Sequence, residues 1–322
     1  MKEKKIEFPE TLQEAIKYFS DENRAFEYMK CVRWTDGKVT CPHCGSDKNS
    51  FVSTRKIWHC SGCKRQFSIK IGTIFEDSPI KFDKWICATW LIANAKNGIS
   101  SYEIGRSIGV CQKTAWFMLQ RIRLAMQNGT IEKMKGQVES DETFIGGRDR
   151  FRHKDKKHVT SGWKGKTAAQ GLLERTAGGK ASRVKLKVLK TTRNHEVQGN
   201  VREYVLKGTE LHTDALRSYI GMNQDYIHQV VDHAICYAKG HVHTNGLENF
   251  WCLLKRMIKG TYVNCEPFHL FRYLDEQAFR FNEREDDDKG RFMKAMAGIV
   301  GKSLTFAKLT GKEEAGGGLM PA

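Results

Sequence analysis

Two CxxC pairs near the N-terminus constrain the fold of this chain more than any other feature. Both pairs lie in the segment CPHCGSDKNSFVSTRKIWHCSGC, and their cysteines are Cys41, Cys44, Cys60 and Cys63. Their spacing is within the range of zinc-ribbon sites, where four thiolates complete a tetrahedral Zn²⁺ shell. The ion replaces the apolar core that so short a β segment cannot build. We therefore predict a small zinc ribbon in which four cysteines hold a structural Zn²⁺.

Two disulfides are the alternative use of the same cysteines. The N-terminal sequence MKEKKIEFPETLQEA is charged and has no apolar leader core, so we expect a reducing compartment where disulfides are rare. Gly45 and Gly62 are expected to allow the tight turns of the two knuckles. The ribbon does not define the function, because such modules bind DNA, form parts of RNA polymerases or act only as structural supports.

The chain is strongly basic. Lys and Arg number 54 and Asp and Glu 37, which gives a formal net charge of +17. Such an excess favours a polyanionic partner, because each neutralised phosphate releases condensed counterions. We favour nucleic acid over an anionic membrane, since no basic amphipathic anchor is present. No apolar stretch reaches the length of about 18 residues that a membrane span needs, so we expect no membrane partner and a cytoplasmic, nucleoid-associated protein.

The length of 322 residues allows two or three domains. Changes of pattern along the chain predict five segments. They are an N-terminal helical segment at 1–35, the zinc ribbon at 36–78, a helix-turn-helix-like DNA-binding block at 79–130, an α/β catalytic domain at 131–290, and a C-terminal helix with a disordered tail at 291–322.

Three helices are predicted in the segment that follows the ribbon, at 82–95, 101–108 and 112–126. A short helix, a turn at Gly109 and a longer basic helix match helix-turn-helix organisation. Lys113, Thr114 and Gln120 are expected to face a DNA groove. The alternative is a three-helix spacer inside an enzyme.

Two aspartates and one glutamate are candidate metal ligands. Asp141 lies in the β-rich run QVESDETFIGG, and Asp214 ends TELHTD, after which ALRSYI is predicted to form a helix. Acids at strand ends point out of the carboxyl edge of a sheet, where α/β folds commonly place ligands. Together with Glu248 they would suit Mg²⁺, which prefers oxygen ligands and keeps open positions for phosphate oxygens and water. Two such ions stabilise the attacking and leaving oxygens of a phosphoryl displacement.

Glu248 belongs to an amphipathic helix in the stretch HVHTNGLENFWCLLKRMIKGTY. Apolar residues recur at three- and four-residue steps and form the stripe Leu247, Phe250, Trp251, Leu254 and Ile258. Asn245 is the expected N-cap, with Glu248 at capping-box spacing. Taken alone, this segment favours a capped surface helix with a solvated charged face, and the two distant aspartates change that balance.

Four sequence blocks occur in an order that resembles the DDE transposases of the zinc-ribbon insertion-sequence group, the ISXO-type enzymes related to the Merlin elements. The blocks are DETFIGG, LHTDALRSY, HVHTNGLENFWCLLKRMIKGTY and FRYLDEQAFRFNER. The resemblance extends from about Cys41 to Arg284. It implies an RNase H-like catalytic domain, and the β-β-β-α-β-α order read from the sequence is the order that such a domain needs.

The resemblance implies that Asp141, Asp214 and Glu248 form the catalytic triad, binding two Mg²⁺ ions (Mn²⁺ also being possible), and that Lys255 contacts the substrate. Some relatives have asparagine as the third ligand, so Asn245 is an alternative or accessory ligand. The implied activity is cleavage at terminal inverted repeats followed by strand transfer into target DNA. A homodimer or larger assembly on DNA follows from the need to join two ends.

Other carboxylates and other functions compete with this interpretation. Glu139, Glu142 and Asp232 are rival acids, although Glu142 adjoins Asp141 and should face the other side of a strand. His243, close before the third acid, is a candidate supporting or substrate-contacting residue. The alternative functions are a DNA-binding regulator with an inactive acid domain and an RNase H-like nuclease that cuts but does not join.

Overall fold

The computed structural model describes residues 8–127, 132–146, 165–176, 181–231, 242–263 and 265–312. Their contacts divide the chain into two units. We call the first the ribbon unit; its described residues are 8–95, 100–126 and 287–312. The second, the sheet unit, contains 96–99 and the described residues from 127 to 286. The short loop 96–99 is thus separated in sequence from the rest of its unit.

The ribbon unit begins with two helices, as the sequence predicts: α1 (Leu12–Phe19) and α2 (Glu22–Arg33). Thr11 caps α1 and forms a capping box with Glu14, whose carboxylate accepts the backbone N–H of Thr11. Asp21 caps α2 by accepting the N–H of Asn23 at 2.8 Å. Local side chains therefore satisfy the first backbone donors of both helices.

Three short antiparallel strands form the zinc-ribbon segment: β1 (Asn49–Val52), β2 (Ile57–Cys60) and β3 (Gln66–Ser68). Trp58 is the centre of its small apolar core. Its ring stacks on Phe67 and Phe26 at centroid distances of 5.8 and 5.7 Å. A core built on one tryptophan is too small to hold the two cysteine knuckles in place, so a further interaction must stabilise them.

Three helices follow the ribbon close to their predicted positions: α3 (Phe82–Asn94), α4 (Ser101–Ile108) and α5 (Gln112–Ala125). Ser100 caps α4 in a capping box with Glu103, and Gly109 ends that helix in the left-handed conformation, with φ of 63°. One prediction for α5 is wrong. Gln120 is fully buried and cannot face a DNA groove, whereas Lys113 is exposed on the first turn. The C-terminal helices α9 (Asp288–Ala297) and α10 (Phe306–Leu309) also belong to this unit.

A five-stranded sheet forms the centre of the sheet unit, in the order β6-β5-β4-β7-β8. Its strands are β4 (Gln137–Ile145), β5 (Thr167–Glu174), β6 (Arg183–Leu189), β7 (Glu210–Asp214) and β8 (Ile227–Val231). Strands β4, β5 and β6 pair antiparallel in chain order, and β7 and β8 run parallel to β4.

Helices pack against both faces of this sheet. One face is covered by α7 (Asn245–Met257) and α8 (Leu270–Asn282), in a core that includes Leu173, Trp251 and Leu274. The other face is covered by α6 (Asn194–Tyr204), in a core that includes Leu172 and Val201. The helix predicted for ALRSYI is a single 3-10 turn, Arg217–Tyr219, because Gly221 takes the left-handed conformation two residues later and the chain turns away.

Gly171 on β5 is essential for the packing of α7. A Cβ atom at this position would lie 2.8 Å from both Leu247 and Trp251. We expect Gly171→Ala to lower the free energy of unfolding by about 1–3 kcal/mol, the usual effect of overpacking a core. Urea denaturation measures this change. Gly199→Ala in α6 is the control, because nothing lies within 4 Å of its Cβ position. Equal stability of wild type and Gly171→Ala would contradict the prediction.

Candidate active site and zinc site

The four ribbon cysteines converge as predicted. Their sulfur atoms all lie within 4.8 Å of one another, and all four cysteines are free thiols. Cys41 and Cys63 are 3.7 Å apart at sulfur, and Cys44 and Cys60 are 3.6 Å apart. Zinc–sulfur bonds of about 2.3 Å in a tetrahedron place the sulfurs about 3.8 Å apart. The cluster therefore fits Zn²⁺.

Local contacts shift the pKa values of two of these thiols in opposite directions. The backbone N–H of Ser46 lowers the pKa of Cys44, but burial and the neighbouring thiols outweigh that effect and raise it to about 11. The backbone N–H of Cys63 is the main cause that lowers the pKa of the Cys60 thiol, to about 6, which favours the thiolate that binds zinc. Gly45 makes the first knuckle turn with φ of 73°, as expected. In the second knuckle Lys64 takes the left-handed conformation. Gly62 instead allows close packing, since a Cβ there would lie 3.2 Å from Ser46.

Asp141 and Asp214 lie side by side at one edge of the parallel part of the sheet. The prediction that Asp141 ends its strand is wrong, because β4 continues to Ile145. However, the parallel pairing of β4 with β7 ends at Ser140 and Thr213. The next residue on each strand is an aspartate, and Asp214 is the last residue of β7. The two acids therefore lie next to each other, although β4 continues beyond Asp141 and β7 ends at Asp214.

Helix α7 carries Glu248 near these aspartates, but it begins differently from the prediction. Asn245 is its first helical residue and not its N-cap, and the preceding Thr244 makes no side-chain cap. The cap comes from β4, where Oε2 of Glu139 accepts the backbone N–H of Leu247 at 2.9 Å. The predicted apolar stripe is confirmed as buried, and Glu248 is exposed.

The electrostatic state of Asp141 shows that the three acids influence one another. Burial raises the pKa of Asp141 to about 6, and the negative charges of Asp214 and Glu248 raise it as well. Trp251 opposes this effect, since its indole N–H donates to Oδ2 of Asp141 at 2.9 Å. Among the described residues, however, only the ribbon cysteines form a cluster of three or more potential ligands within 4.8 Å. Lys255 is exposed on α7, two turns after Glu248.

The rival carboxylates have other environments. Glu142 points to the opposite face of the sheet, as predicted, and accepts a hydrogen bond from Tyr219. Burial raises the pKa of Glu142 to about 8, so this carboxyl is mostly protonated at neutral pH. Glu139 is 1% exposed at its side chain and pairs with Arg175 at 2.8 Å. Asp232 lies outside the described residues.

The sequence analysis missed the residues that connect β4 to α7. Trp251 was assigned only to the apolar stripe, and Arg175 was not singled out. His243 lies beside Arg175, whose guanidinium donates to its carbonyl at 2.6 Å. Burial lowers the pKa of His243, and the charge of Arg175 adds to that effect. The only sequence signal for these contacts was a glycine on β5, Gly171, in register with Asp141.

Two family models match this chain. Residues 133–282 match the ISXO2-like transposase domain, and residues 20–66 match the transposase zinc-ribbon domain. The first match includes all three acids, and the second includes all four cysteines. The chain therefore carries an ISXO2-like transposase domain and a transposase zinc-ribbon domain. The predicted resemblance is thereby confirmed.

A curated relative also comes from a transposable element. It is described as an uncharacterized protein in transposable element ISH50 of Halobacterium salinarum. The two sequences are 25% identical over 257 residues, which cover 76% of this chain and 85% of the relative. No helix among the described residues is long and apolar enough to cross a membrane.

Proposed function

We propose that the protein is a Mg²⁺-dependent DNA transposase that cleaves DNA at the terminal inverted repeats of an insertion sequence and transfers the freed strand into target DNA. The observation that carries this proposal is the position of Asp141 and Asp214 on adjacent parallel strands, with Glu248 close enough to raise the pKa of Asp141. Three antiparallel strands followed by two parallel ones, with α6 between β6 and β7, also support an RNase H-like domain.

The acid cluster suits divalent cations. The charges of Asp214 and Glu248 both raise the pKa of the buried Asp141, so a cation bound beside Asp141 would relieve repulsion. Asp141, Asp214 and Glu248 would hold the ions, with Asn245, exposed at the first position of α7, as the alternative third ligand. When bound, two Mg²⁺ or Mn²⁺ ions stabilise the attacking and leaving oxygens of an in-line displacement.

The protein's own groups prepare this reaction. The indole of Trp251 fixes the orientation of the Asp141 carboxylate through its N–H. The ammonium of Lys255 is exposed on the face of α7 that carries Glu248, so it is placed to hold a phosphate of the substrate backbone. Because water or a 3′-hydroxyl is the nucleophile, no covalent bond between protein and DNA is required.

DNA recognition is assigned to the ribbon and the helices that follow it. The net charge of +17 favours the phosphate backbone, and Lys113 on the first turn of α5 is exposed for such a contact. We propose that these parts bind the terminal inverted repeats, in a homodimer or larger assembly that holds two ends. This places the protein in the cytoplasm, associated with the nucleoid.

The test is cleavage and joining of end-containing DNA with Mg²⁺, comparing wild type with alanine variants of Asp141, Asp214, Glu248 and Asn245. Loss of both steps in the first three, with DNA binding retained, is the expected result. Activity that survives Glu248→Ala but not Asn245→Ala would show Asn245 to be the third ligand. Binding without cutting would favour a regulator, and cutting without joining a nuclease.

Metal binding is expected to weaken as the pH falls through about 6. Burial, aided by neighbouring negative charge, raises the pKa of Asp141 to about 6, so protons compete with metal in this range. Between pH 7 and pH 5 the apparent Kd for Mn²⁺ should rise about tenfold, as expected for one competing proton. Titration of the metal-free protein with Mn²⁺ at the two pH values measures this effect, and a constant Kd would contradict it.

The stability of the metal-free protein should change with pH in the opposite sense. An acid whose pKa is raised in the folded state favours folding when protonated, so the contribution of Asp141 to the free energy of unfolding should fall as the pH rises from about 4 to about 6. Asp141→Asn, which cannot ionise, should show a smaller fall. Ionisation of Glu142, whose pKa is about 8, should extend the fall in the free energy of unfolding toward pH 8 in both the wild type and Asp141→Asn.

A further inference from the structure

A buried carboxylate connects the strand that carries Asp141 to the helix that carries Glu248. Glu139 lies two residues before Asp141 on β4, so both side chains project from the same face of the sheet. Its Oε2 accepts the backbone N–H of Leu247 at 2.9 Å, and its Oε1 accepts Nε of Arg175 at 2.8 Å. Glu139 therefore holds the first turn of α7 from across the sheet.

A second hydrogen bond joins the same strand and helix. Nε1 of Trp251 donates to Oδ2 of Asp141 at 2.9 Å. Leu247 and Trp251 are one helical turn apart, and Glu248 lies between them in sequence. The two bonds thus fasten α7 to β4 on either side of the proposed third metal ligand.

The approach of Glu139 to the helix depends on a glycine. A Cβ atom at Gly246 would lie 2.8 Å from Oε2 of Glu139, closer than real Cβ atoms come. Arg175 compensates the buried charge and also donates to the carbonyl of His243, just before the helix. The start of α7 is therefore fixed by β4 and by the end of β5, and the side chain of Thr244 does not cap the helix.

We infer that Glu139, Arg175 and Gly246 are positioning residues that set the distance between the Asp141 and Glu248 carboxylates and thereby the affinity for divalent metal. This inference rests on the proposed function. None of the three is proposed to touch metal or DNA. Their effect is transmitted through the backbone of α7, in the way that groups behind a metal site orient its ligands.

Gly246→Ala is the sharpest test. Alanine is the better helix former, so this substitution should disturb only the approach of the Glu139 carboxylate to α7 and not the helix itself. The full-length protein, without DNA, is titrated with Mn²⁺ and the free ion is followed by electron paramagnetic resonance. We expect the Kd for Mn²⁺ to rise about tenfold or more, the usual effect of disturbing groups behind a metal ligand. Gly199→Ala, the same exchange in open space on α6, should bind Mn²⁺ like the wild type.

Two further variants keep the inference testable if Gly246→Ala does not fold. Glu139→Gln keeps an acceptor for Leu247 but removes the charge that faces Arg175. Trp251→Phe keeps a ring in the core but removes the bond to Asp141. Its control is Trp90→Phe, since the buried indole nitrogen of Trp90 has no hydrogen-bond partner within the described parts of the chain. Both variants should weaken Mn²⁺ binding, whereas the control should not.

The outcomes separate this inference from the proposed function. If the wild type binds Mn²⁺ and the variants bind it equally well, even with a lowered Tm, then Glu139 is only a helix cap and the inference is wrong. If the wild type binds Mn²⁺ but Asp141→Ala binds it just as tightly, the metal site itself is misassigned and the proposed function is what fails.

Discussion

Asp214→Asn is expected to lower the rate of DNA cleavage by about a thousandfold or more. The substitution keeps the size of the side chain and its acceptor for the backbone N–H of Leu216, which lies 3.1 Å from Oδ1. It removes one of three charges that are proposed to hold the catalytic ions. Metal ions contribute several kcal/mol to such displacements, and each 1.4 kcal/mol corresponds to about a tenfold change in rate. Single-turnover cleavage of end-containing DNA measures the loss.

Binding and folding must be separated from chemistry in that experiment. Asp225→Asn is the matched control, since Asp225 pairs with Arg202 and Lys207 away from the acid cluster. Solvent screens these surface pairs, so their loss should change stability little and leave cleavage unchanged. Asp214→Asn should still bind the ends. Cleavage by Asp214→Asn at the wild-type rate would remove Asp214 from the active site.

Cys60→Ser is expected to unfold the zinc ribbon. The three strands of the ribbon are short and their core depends on Trp58, so most of the stability must come from the metal. Zinc binding contributes about 10–16 kcal/mol in comparable peptides, more than a segment of this size can replace by other contacts. Hydrogen exchange of β1–β3 should become fast, and the bound zinc should fall below one ion per chain.

The control for this variant is Cys31→Ser, because Cys31 is an exposed cysteine on α2 outside the cluster. It should retain zinc and slow exchange. A strong chelator added to the wild type should reproduce the effect of Cys60→Ser. Slow exchange in β1–β3 after complete removal of zinc would show that the ribbon does not need the metal.

Local patterns predicted much of this fold. Thr11 and Ser100 cap α1 and α4 through capping boxes, whose two residues are three positions apart, so a local pattern is enough to encode them. The ribbon follows from four cysteines in two CxxC pairs, whose spacing suits a tetrahedral zinc site. The buried stripe of α7 follows from the 3.6-residue period of a helix, which places Leu247 and Trp251 on one face.

The sequence could not show what depends on distant partners. Asn245 is a residue type that often caps helices. The N–H of Leu247, which a local cap would have bonded, is instead accepted by Glu139, 108 positions away. Gln120 has a polar side chain on a basic helix, yet it is buried inside the ribbon unit. Asp141 is adjacent to Asp214 because of the register between β4 and β7, which alternation within one strand does not specify. Contacts of this kind become known only when the pairing of the strands and the packing of the helices are known.

The loop 96–99 limits how this protein can be dissected. It lies between α3 and α4, but Ile99 donates its N–H to the hydroxyl of Tyr262 at 3.2 Å, and the carbonyl of Asn97 accepts a bond from Thr261 at 2.7 Å. A fragment cut from 127 to 286 would lack both partners, and no single cut releases either unit whole. Neither unit can therefore be exchanged between relatives by joining two sequences at one boundary. Chimeras between relatives will have to retain this four-residue insert together with the recipient's own Tyr262.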